Sequence, residues 1–294
     1  MAASLYAWWD DFFFTYQTLI YHLGINGILG LSMYVVLAVG QLSLGQAAFA
    51  GLGAYAGALI TTKTGLPFPV ALAAAVVAPA LVAYAVGGPT LRLKGVYLAI
   101  ATLGLGEIIR ILLINWDYAG GALGLSGIPE RAGLAIIYGS LAVLLVGFVF
   151  VARSRIGRAM EAMREDEAAA GVMGVIVPRY RLAALVVSAM LAGYAGALHA
   201  HVSSFIGPNE YGFDAAVSIL SYALLGGIGS PFGPVLGAMI LTALPEILRP
   251  LADFRGLVSG TVIVVAVLFM PRGIVPWRMA RVGSASVRSA RVGH

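Results

Sequence analysis

The sequence predicts an all-α, polytopic membrane protein with about eight to ten transmembrane helices. Of its 294 residues, 60% are hydrophobic and only 11% are charged, and the mean hydropathy is +0.94, whereas a soluble domain has roughly 25% charged residues. Its apolar residues form runs of about 20, the length that a helix needs to cross a bilayer, and not the short alternating strands of a membrane barrel. Because the chain has no cysteine, disulfides, thiolate metal sites and cysteine nucleophiles are excluded.

Nine apolar stretches are predicted spans, and they make residues 18–276 one transmembrane domain. The polar stretch Gly40–Gln46 interrupts the apolar run between the first two spans. The seventh span is short and rich in glycine near its end, which is typical of a re-entrant or broken helix. The spans are Thr18–Val39, Leu44–Thr62, Val70–Gly88, Gly95–Ile114, Ala132–Val151, Leu182–Val202, Ala215–Gly229, Phe232–Leu248 and Leu257–Pro276.

The longest polar stretch, Arg153–Arg181, lies between the fifth and sixth spans and is named here the charged segment. If it lies in the cytoplasm and the spans alternate, thirteen of the 18 Lys and Arg residues lie inside, four lie outside and Arg110 lies within a span. This excess predicts the orientation, because basic loops remain in the cytoplasm. Residues 1–17, which contain Asp10 and Asp11 but no Lys or Arg, are then extracytoplasmic, and the basic tail 277–294 is cytoplasmic.

Good helix formers occupy the charged segment from Arg158 to Ala170 and predict one short helix there. Gly171 and Gly174 can end that helix, and Pro178 prevents its continuation. A short charged helix between two spans is typical of a docking element, and the alternative is an ordinary basic cytoplasmic loop.

The residues of that helix also suggest two surfaces. Ile156, Met160 and Met163 recur every three to four residues and predict an apolar edge. Neighbouring charges of both signs suit a fixed register with a partner protein; these are Arg164, Glu165, Asp166 and Glu167.

Ionisable residues within spans are costly and therefore point to structure or function. Glu107 and Arg110 are three residues apart on one helix face, so they can pair. The pair is interpreted as structural, and a position on a polar path or at a subunit contact is the alternative. His199 and His201 are two residues apart, so they point to different sides of a helix and make a poor metal pair; they are interpreted as polar residues at the membrane interface.

Glycine recurs every fourth residue in Gly53–Gly57 and in Gly229–Gly237, which lets helix backbones approach closely in lipid, with a glycine-rich composition that has no packing role as the alternative. The sequence Tyr55–Leu59 recurs unchanged at Tyr194–Leu198, and both copies run from inside to outside in the predicted topology. This recurrence suggests an internal duplication, with chance coincidence in an alanine-rich chain as the alternative.

Two other functional classes need consideration. The outer loop 115–129 contains Gly124-Leu-Ser126-Gly127, which fits the short motif of rhomboid-like intramembrane serine proteases. Such a serine needs a histidine base within hydrogen-bond reach. A stand-alone carrier or channel is the other alternative, and the acidic residues of the charged segment disfavour it because a topogenic loop needs only basic residues.

Five groups of motifs between Gly24 and Pro276 resemble the LivM-type permeases of branched-chain amino acid ABC importers. They are Gln41–Phe49 with Gly53-Ala-Tyr55; Leu93–Thr102 with Glu107-Ile-Ile-Arg110; Gly120-Gly121 with Gly124 and Ile128-Pro129; Gly157-Arg158-Ala159 and Arg164–Ala169 with Gly174; and Gly226-Gly227-Ile-Gly229 with Gly233-Pro234 and Gly237-Ala238. One departure is that four residues separate Glu167-Ala-Ala169 from Gly174, where ABC importer loops have three.

The resemblance implies an ABC importer permease fold whose loop over 152–181 contains a cytoplasmic coupling helix. The residues implied in ATPase coupling are Arg158, Met160, Met163, Arg164, Glu165, Asp166, Glu167, Ala168, Ala169 and Gly174. The candidates for lining the path or for packing are Gln41, Ser43, Gln46, Thr102, Glu107, Arg110, Gly226, Gly227 and Gly229.

The resemblance also implies the partners: a second, related permease in a heterodimer, two cytoplasmic ATPase subunits and an extracytoplasmic substrate-binding protein, in the inner membrane of a prokaryote. The implied substrates are branched-chain amino acids, with urea or short amides as the alternative. The chain has no Gly-x4-Gly-Lys, so ATP and Mg²⁺ are expected in the ATPase subunits. We therefore expect a transport subunit without catalytic residues, metal ligands or cofactors of its own.

Overall fold

The computed structural model describes residues 2–90, 92–93 and 95–247 together with Gly260 and Ile274, and describes side chains from Tyr16 onward. Within these residues the chain forms ten α-helices and a two-stranded ladder. The helices are α1 (Ala2–Ala38), α2 (Gln46–Leu59), α3 (Phe68–Thr90), α4 (Val96–Ile114), α5 (Leu134–Arg153), α6 (Arg155–Glu165), α7 (Glu167–Val172), α8 (Val177–Ser203), α9 (Phe213–Gly226) and α10 (Phe232–Ile247); the strands are β1 (Leu125–Ser126) and β2 (Phe205–Ile206).

A helix coincides with each of the first eight predicted spans, which confirms the polytopic all-α fold. In the part of the chain that the structure describes, five helical stretches are long and apolar enough to cross a membrane: Tyr16–Ala38, Phe68–Thr90, Val96–Ile114, Leu134–Arg153 and Val177–Ser203. The 14 residues of α2 continue into a π-helical turn, Ile60–Thr64, and α9 and α10 are shorter, at 14 and 16 residues. Apart from Gly260 and Ile274, the predicted ninth span and the basic tail lie outside the described residues.

The centre of the bundle is the pair of helices that carry the repeated sequence, α2 and α8. The Gln46 amide donates to the Ser188 hydroxyl at 3.2 Å, and the Thr61 hydroxyl lies 3.0 Å from Nε2 of His201. These contacts advance in the same direction along both helices, so α2 and α8 run parallel, as the predicted topology requires.

Glycine allows the closest helix contacts. A Cβ added at Gly53 would overlap the backbone of Gly193, so α2 and α8 touch backbone to backbone. A Cβ added at Gly226 would likewise overlap the Gly233 carbonyl, which brings α9 against α10. The prediction that the glycine-spaced segments pack closely is confirmed.

The charged segment forms two helices, so the prediction of a single helix over Arg158–Ala170 is wrong. The break is at Asp166, whose backbone is extended (φ −151°, ψ 108°) and whose carboxylate accepts from the amides of Ala168 and Ala169 at 2.9 and 3.0 Å. Asp166 thereby caps α7, because a short acidic side chain satisfies the free N–H groups that begin a helix. Ser154 caps α6 in the same way.

The end of the bundle away from the charged segment is closed by the two-stranded ladder. Leu125 pairs with Ile206 and Ser126 with Phe205, in antiparallel register. The ladder joins the loop after α4 to the chain that leaves α8. Since α8 begins beside α7 and ends at β2, its length separates the charged segment from the ladder.

Candidate functional site

The helix α6 is held against the transmembrane bundle by one apolar and one polar contact. Met163 is only 4% exposed and packs in a cluster with Val39, just beyond the end of α1. The Arg164 guanidinium donates from Nη1 to the Ile228 carbonyl at 3.0 Å, in the turn between α9 and α10. The charged segment is therefore attached to the ends of two transmembrane elements.

The apolar edge predicted on α6 is divided between two environments. Met163 is buried within this chain and Met160 is partly buried against the same cluster, whereas Ile156 is exposed. The fully accessible apolar side chains are instead Val172 and Met173, 89% and 86% exposed at the end of α7. Sequence reasoning missed these two residues because the apolar spacing was sought on one continuous helix.

The helix α7 is fixed to α8 by an ion pair and presents small residues to solvent. Arg181 donates from Nη2 to Oε2 of Glu167 at 2.9 Å. Ala168 and Ala169 are exposed beside that pair. Gly174 follows α7 at φ +89°, a conformation that other residues rarely adopt.

Of the remaining predicted coupling residues, Arg158 and Glu165 are exposed on α6. The structure thus brings the ten predicted coupling residues together on α6, α7 and the turn that follows. Met163 differs from the exposed members of that set because its side chain faces its own chain.

Four of the predicted path residues form a buried polar cluster where α1 turns into α2. The Thr102 hydroxyl accepts from the Leu44 amide at 2.9 Å, and the Ser43 hydroxyl accepts from the Gly45 amide at 3.3 Å. The Gln46 amide donates to the Ser188 hydroxyl of α8. Gln41 is buried as well, and its Oε1 has no hydrogen-bond partner in the part of the chain that the structure describes. Thr102 and Gln46 hold the turn against α4 and α8, respectively.

The predicted pair Glu107 and Arg110 is confirmed. The Arg110 guanidinium donates from Nε to both carboxylate oxygens, at 3.0 and 3.1 Å, and from Nη1 to Oδ1 of Asn209 at 2.6 Å. The pair is partly exposed and ties α4 to the 3-10 turn Pro208–Tyr211. Gly226, Gly227 and Gly229 lie apart from it, at the turn between α9 and α10.

A cavity of about 260 Å³ lies between α1, α2, α8, α9 and the Pro208–Tyr211 turn. His22 lines it and precedes Val39 by 17 residues, which is about 25 Å of helix. The cavity therefore extends from the opposite half of α1 to Tyr222 of α9, which precedes Ile228 by six residues. Its polar lining is His22, Asn26, His199, Glu210, Tyr211, Ser218 and Tyr222; its apolar lining includes Ile25, Leu29, Ala47, Ala50, Ala195 and Ile219.

Two histidine rings define the polar side of the cavity. The His22 and His199 rings meet edge to face, with centroids 5.4 Å apart, and Nδ1 of His22 lies 2.7 Å from the Thr18 carbonyl. Nδ1 of His199 lies 3.3 Å from the Tyr211 hydroxyl. Desolvation raises the pKa of the Glu210 carboxyl at the same cavity above its usual value.

The two histidines near the end of α8 have different environments, as predicted. Only His199 lines the cavity. His201 is fully buried, and its ring nitrogens lie against the Thr61 hydroxyl and the Ala197 carbonyl, so its side chain bonds within this chain. The cavity itself was missed from the sequence because its lining comes from helices far apart in the chain, which no local motif connects.

Ser126, the serine of the protease-like motif, lies in β1 opposite Phe205. The described histidines bond elsewhere: His22 to Thr18, His199 to Tyr211 and Ser203, and His201 to Thr61 and Ala197. Among the described residues, the geometry therefore offers Ser126 no histidine base of the kind that a serine nucleophile requires.

The similarity to known proteins extends over both the charged segment and the residues that line the cavity. A family model described as branched-chain amino acid transport system, permease component, matches residues 15–267. The permease LivM of a high-affinity branched-chain amino acid transport system in Salmonella typhimurium is 34% identical, over 88% of this chain and 68% of its own length. LivH, a permease of such a system in Escherichia coli, is 33% identical over 43% of this chain and 41% of its own length.

A permease for autoinducer 2 import, LsrC of Klebsiella pneumoniae, is 32% identical over 54% of this chain and 48% of its own length. No solved structure matches the chain. The family match spans all the described transmembrane helices and the charged segment between them. The resemblance to LivM-type permeases is thus confirmed, and the chain belongs to the family of permease components of branched-chain amino acid transport systems.

Proposed function

We propose that this permease imports branched-chain amino acids, and that it forms the translocation path with a second, related permease. The relatives LivM and LivH, both named as permeases of branched-chain amino acid systems, support the substrate and the pairing. ATP and Mg²⁺ are then held by two ATPase subunits, and an extracytoplasmic binding protein delivers the substrate.

We also propose that the charged segment couples this permease to an ATPase subunit. The observation that supports this coupling is the two-helix arrangement of the segment. It exposes Val172 and Met173 at its tip, while Met163 and Arg164 bind its base to the bundle. An exposed apolar tip between charges of both signs suits a groove on another protein, because apolar area supplies affinity and charge sets the register. In this proposal the tip enters a groove on an ATPase subunit.

The orientation follows from this docking. ATPase subunits are cytoplasmic, so α6 and α7 lie inside, and the β1–β2 ladder and the cavity lie towards the outside. The excess of Lys and Arg on the same side agrees with this orientation. The N-terminus of α1 is then outside and the tail 277–294 inside, in the inner membrane of a prokaryote.

The test is reconstitution of the chain with its second permease, two ATPase subunits and binding protein in proteoliposomes. We expect ATP-dependent uptake of leucine, isoleucine and valine, and ATP hydrolysis that these amino acids stimulate. A matched complex whose ATPase subunits lack the nucleotide-binding lysine controls for leakage. Uptake of urea or acetamide in place of the amino acids would refute the substrate, and uptake that does not depend on ATP would refute the ATP-driven mechanism.

A further inference from the structure

We propose that the cavity between α1, α2, α8 and α9 is a binding site, within this one subunit, for a small aliphatic amino acid. The substrate's ammonium group faces Glu210, and its side chain lies against Ile25 and Ile219. This inference rests on the proposed import function and deepens it, because it names residues of this chain that contact the substrate.

The size of the cavity matches a single amino acid. Its volume of about 260 Å³ far exceeds the roughly 10–15 Å³ that a single bound water molecule requires. Cavities for drug-sized ligands begin at about 300 Å³. The cavity therefore admits a small molecule with one short aliphatic chain and is too small for an extended peptide.

The charge of the lining selects for a cation at one end. Glu210 supplies a carboxylate, and none of the described residues that line the cavity is Lys or Arg. A carboxylate in a partly desolvated site favours a positive group opposite it, because that group replaces the lost hydration. A primary ammonium group is small enough to fill this role, and an anion without an ammonium group is disfavoured.

The opposite wall is aliphatic. Ile25 and Leu29 lie one helical turn apart on α1, and Ile219 of α9 faces the same space. Contact with an aliphatic side chain removes apolar surface from water, which is favourable in proportion to the area. Urea and short amides present little such surface, so this wall favours branched aliphatic side chains over them.

The cavity also contains neutral polar groups that can bind the substrate carboxylate. The His199 ring carries one N–H donor in either neutral tautomer, and its nitrogens lie 3.3 and 3.5 Å from the hydroxyls of Tyr211 and Ser203. These contacts are long for hydrogen bonds. A substrate carboxylate can therefore replace one of them with a shorter, charge-assisted bond.

The site is also connected to the charged segment. Ser218, Ile219 and Tyr222 of α9 line the cavity, and the turn after α9 accepts the hydrogen bond from Arg164. A displacement of α6 therefore moves one wall of the cavity relative to α1 and α8. This connection explains how ATPase closure would lower the affinity of the site and release the substrate.

The test measures equilibrium binding of tritiated L-leucine to the purified complex of both permeases and the ATPases, without the binding protein. We compare the wild type with Glu210→Gln, which removes the charge, and with Ala215→Leu, which fills the cavity beside α9. Glu130→Gln, at the same end of the bundle but outside the cavity lining, is the matched control. Isopentylamine and 4-methylpentanoate, which lack the carboxylate and the ammonium group respectively, serve as competitors.

We expect Glu210→Gln and Ala215→Leu each to weaken leucine binding about tenfold or more, and Glu130→Gln to leave it within about twofold. Isopentylamine should compete in the wild type but not in Glu210→Gln, and 4-methylpentanoate should compete weakly in both. Wild-type affinity in both cavity variants would overturn the site while leaving the import function intact. A wild-type complex that takes up no leucine with its binding protein would instead overturn the proposed substrate.

Discussion

The Arg164 guanidinium donates to the Ile228 carbonyl at 3.0 Å, which joins two residues 64 positions apart in the chain. The turn that carries Ile228 is tightly built, since Gly227 has φ +92° and a Cβ at Gly226 would overlap the Gly233 carbonyl. We therefore expect a movement of α6 to be passed to α9 and α10 and not to be absorbed by a loose loop.

Loss of the Arg164 contact should uncouple ATP hydrolysis from transport. A hydrogen bond from a charged group contributes about 1.5–3 kcal/mol, so Arg164→Ala should lower the ratio of leucine transported to ATP hydrolysed by about tenfold or more. Association with the ATPases should persist, because the tip at Met173 is unchanged. Arg155→Ala, which removes a positive charge from the same helix, is the control. An unchanged transport ratio in Arg164→Ala would show that Ile228 does not transmit the movement.

The exposed tip of α7 should determine ATPase association. Met173→Asp places a charge where the proposed groove is apolar, and desolvation of that charge is unfavourable. We expect recovery of ATPase subunits with the permease to fall about tenfold or more. Leu123→Asp, which alters an equally exposed apolar residue (89%) at the opposite end of the bundle, should leave the recovery unchanged. If Met173→Asp and Leu123→Asp recover the same amount of ATPase, the docking surface lies elsewhere.

The cap at Asp166 should stabilise α7 by about 1 kcal/mol. In Asp166→Ala the amides of Ala168 and Ala169 lose their acceptor, so their hydrogen exchange should accelerate about fivefold. Asp166→Asn retains a capping oxygen and should exchange nearly as slowly as the wild type. If the asparagine variant exchanges as fast as the alanine variant, charge and not capping stabilises this turn.

The pair Glu107 and Arg110 should reveal its structural role in a double-variant comparison. Among the described residues, Glu107→Ala leaves Arg110 only its bond to Asn209, so an uncompensated charge remains on the membrane-spanning helix α4. The yield of assembled permease should fall more in Glu107→Ala than in the double variant Glu107→Ala/Arg110→Ala, because removing both charges restores balance. Normal yield but abolished transport in the double variant would instead indicate a role on the path.

The contact between α2 and α8 should tolerate no side chain at Gly53. A methyl group there would overlap the Gly193 backbone, and overpacking of this kind costs typically about 1–3 kcal/mol. Gly53→Ala should therefore lower the melting temperature of the purified complex by several degrees, about 2–4 °C per kcal/mol. Gly139→Ala on α5, where a Cβ meets nothing within 4 Å, should leave it unchanged or raise it. Equal melting temperatures in Gly53→Ala and Gly139→Ala would mean that α2 and α8 can move apart without loss of stability.

Several features could be predicted from the sequence because they depend on local physical chemistry. Apolar runs of about 20 residues partition into a bilayer whatever their neighbours, so the helices were located before their packing was known. Glu107 and Arg110 meet because positions three apart share a helix face. The cap at Asp166 is also local: an acidic residue before Glu-Ala-Ala-Ala is a capping signal, although the good helix formers on both sides of it favour one unbroken helix.

Only the tertiary structure decided which surfaces are covered and which distant residues meet. The spacing of Ile156, Met160 and Met163 predicts an apolar edge, but a pattern does not state whether its own chain or a partner covers that edge. Packing of α6 on the end of α1 buried Met163, while Met173 at the end of α7 remained exposed. The cavity depends on packing in the same way. His22, His199 and Glu210 come together because α1, α8 and the turn before α9 converge, and the sequence carries no periodic signal for contacts between helices so far apart in the chain.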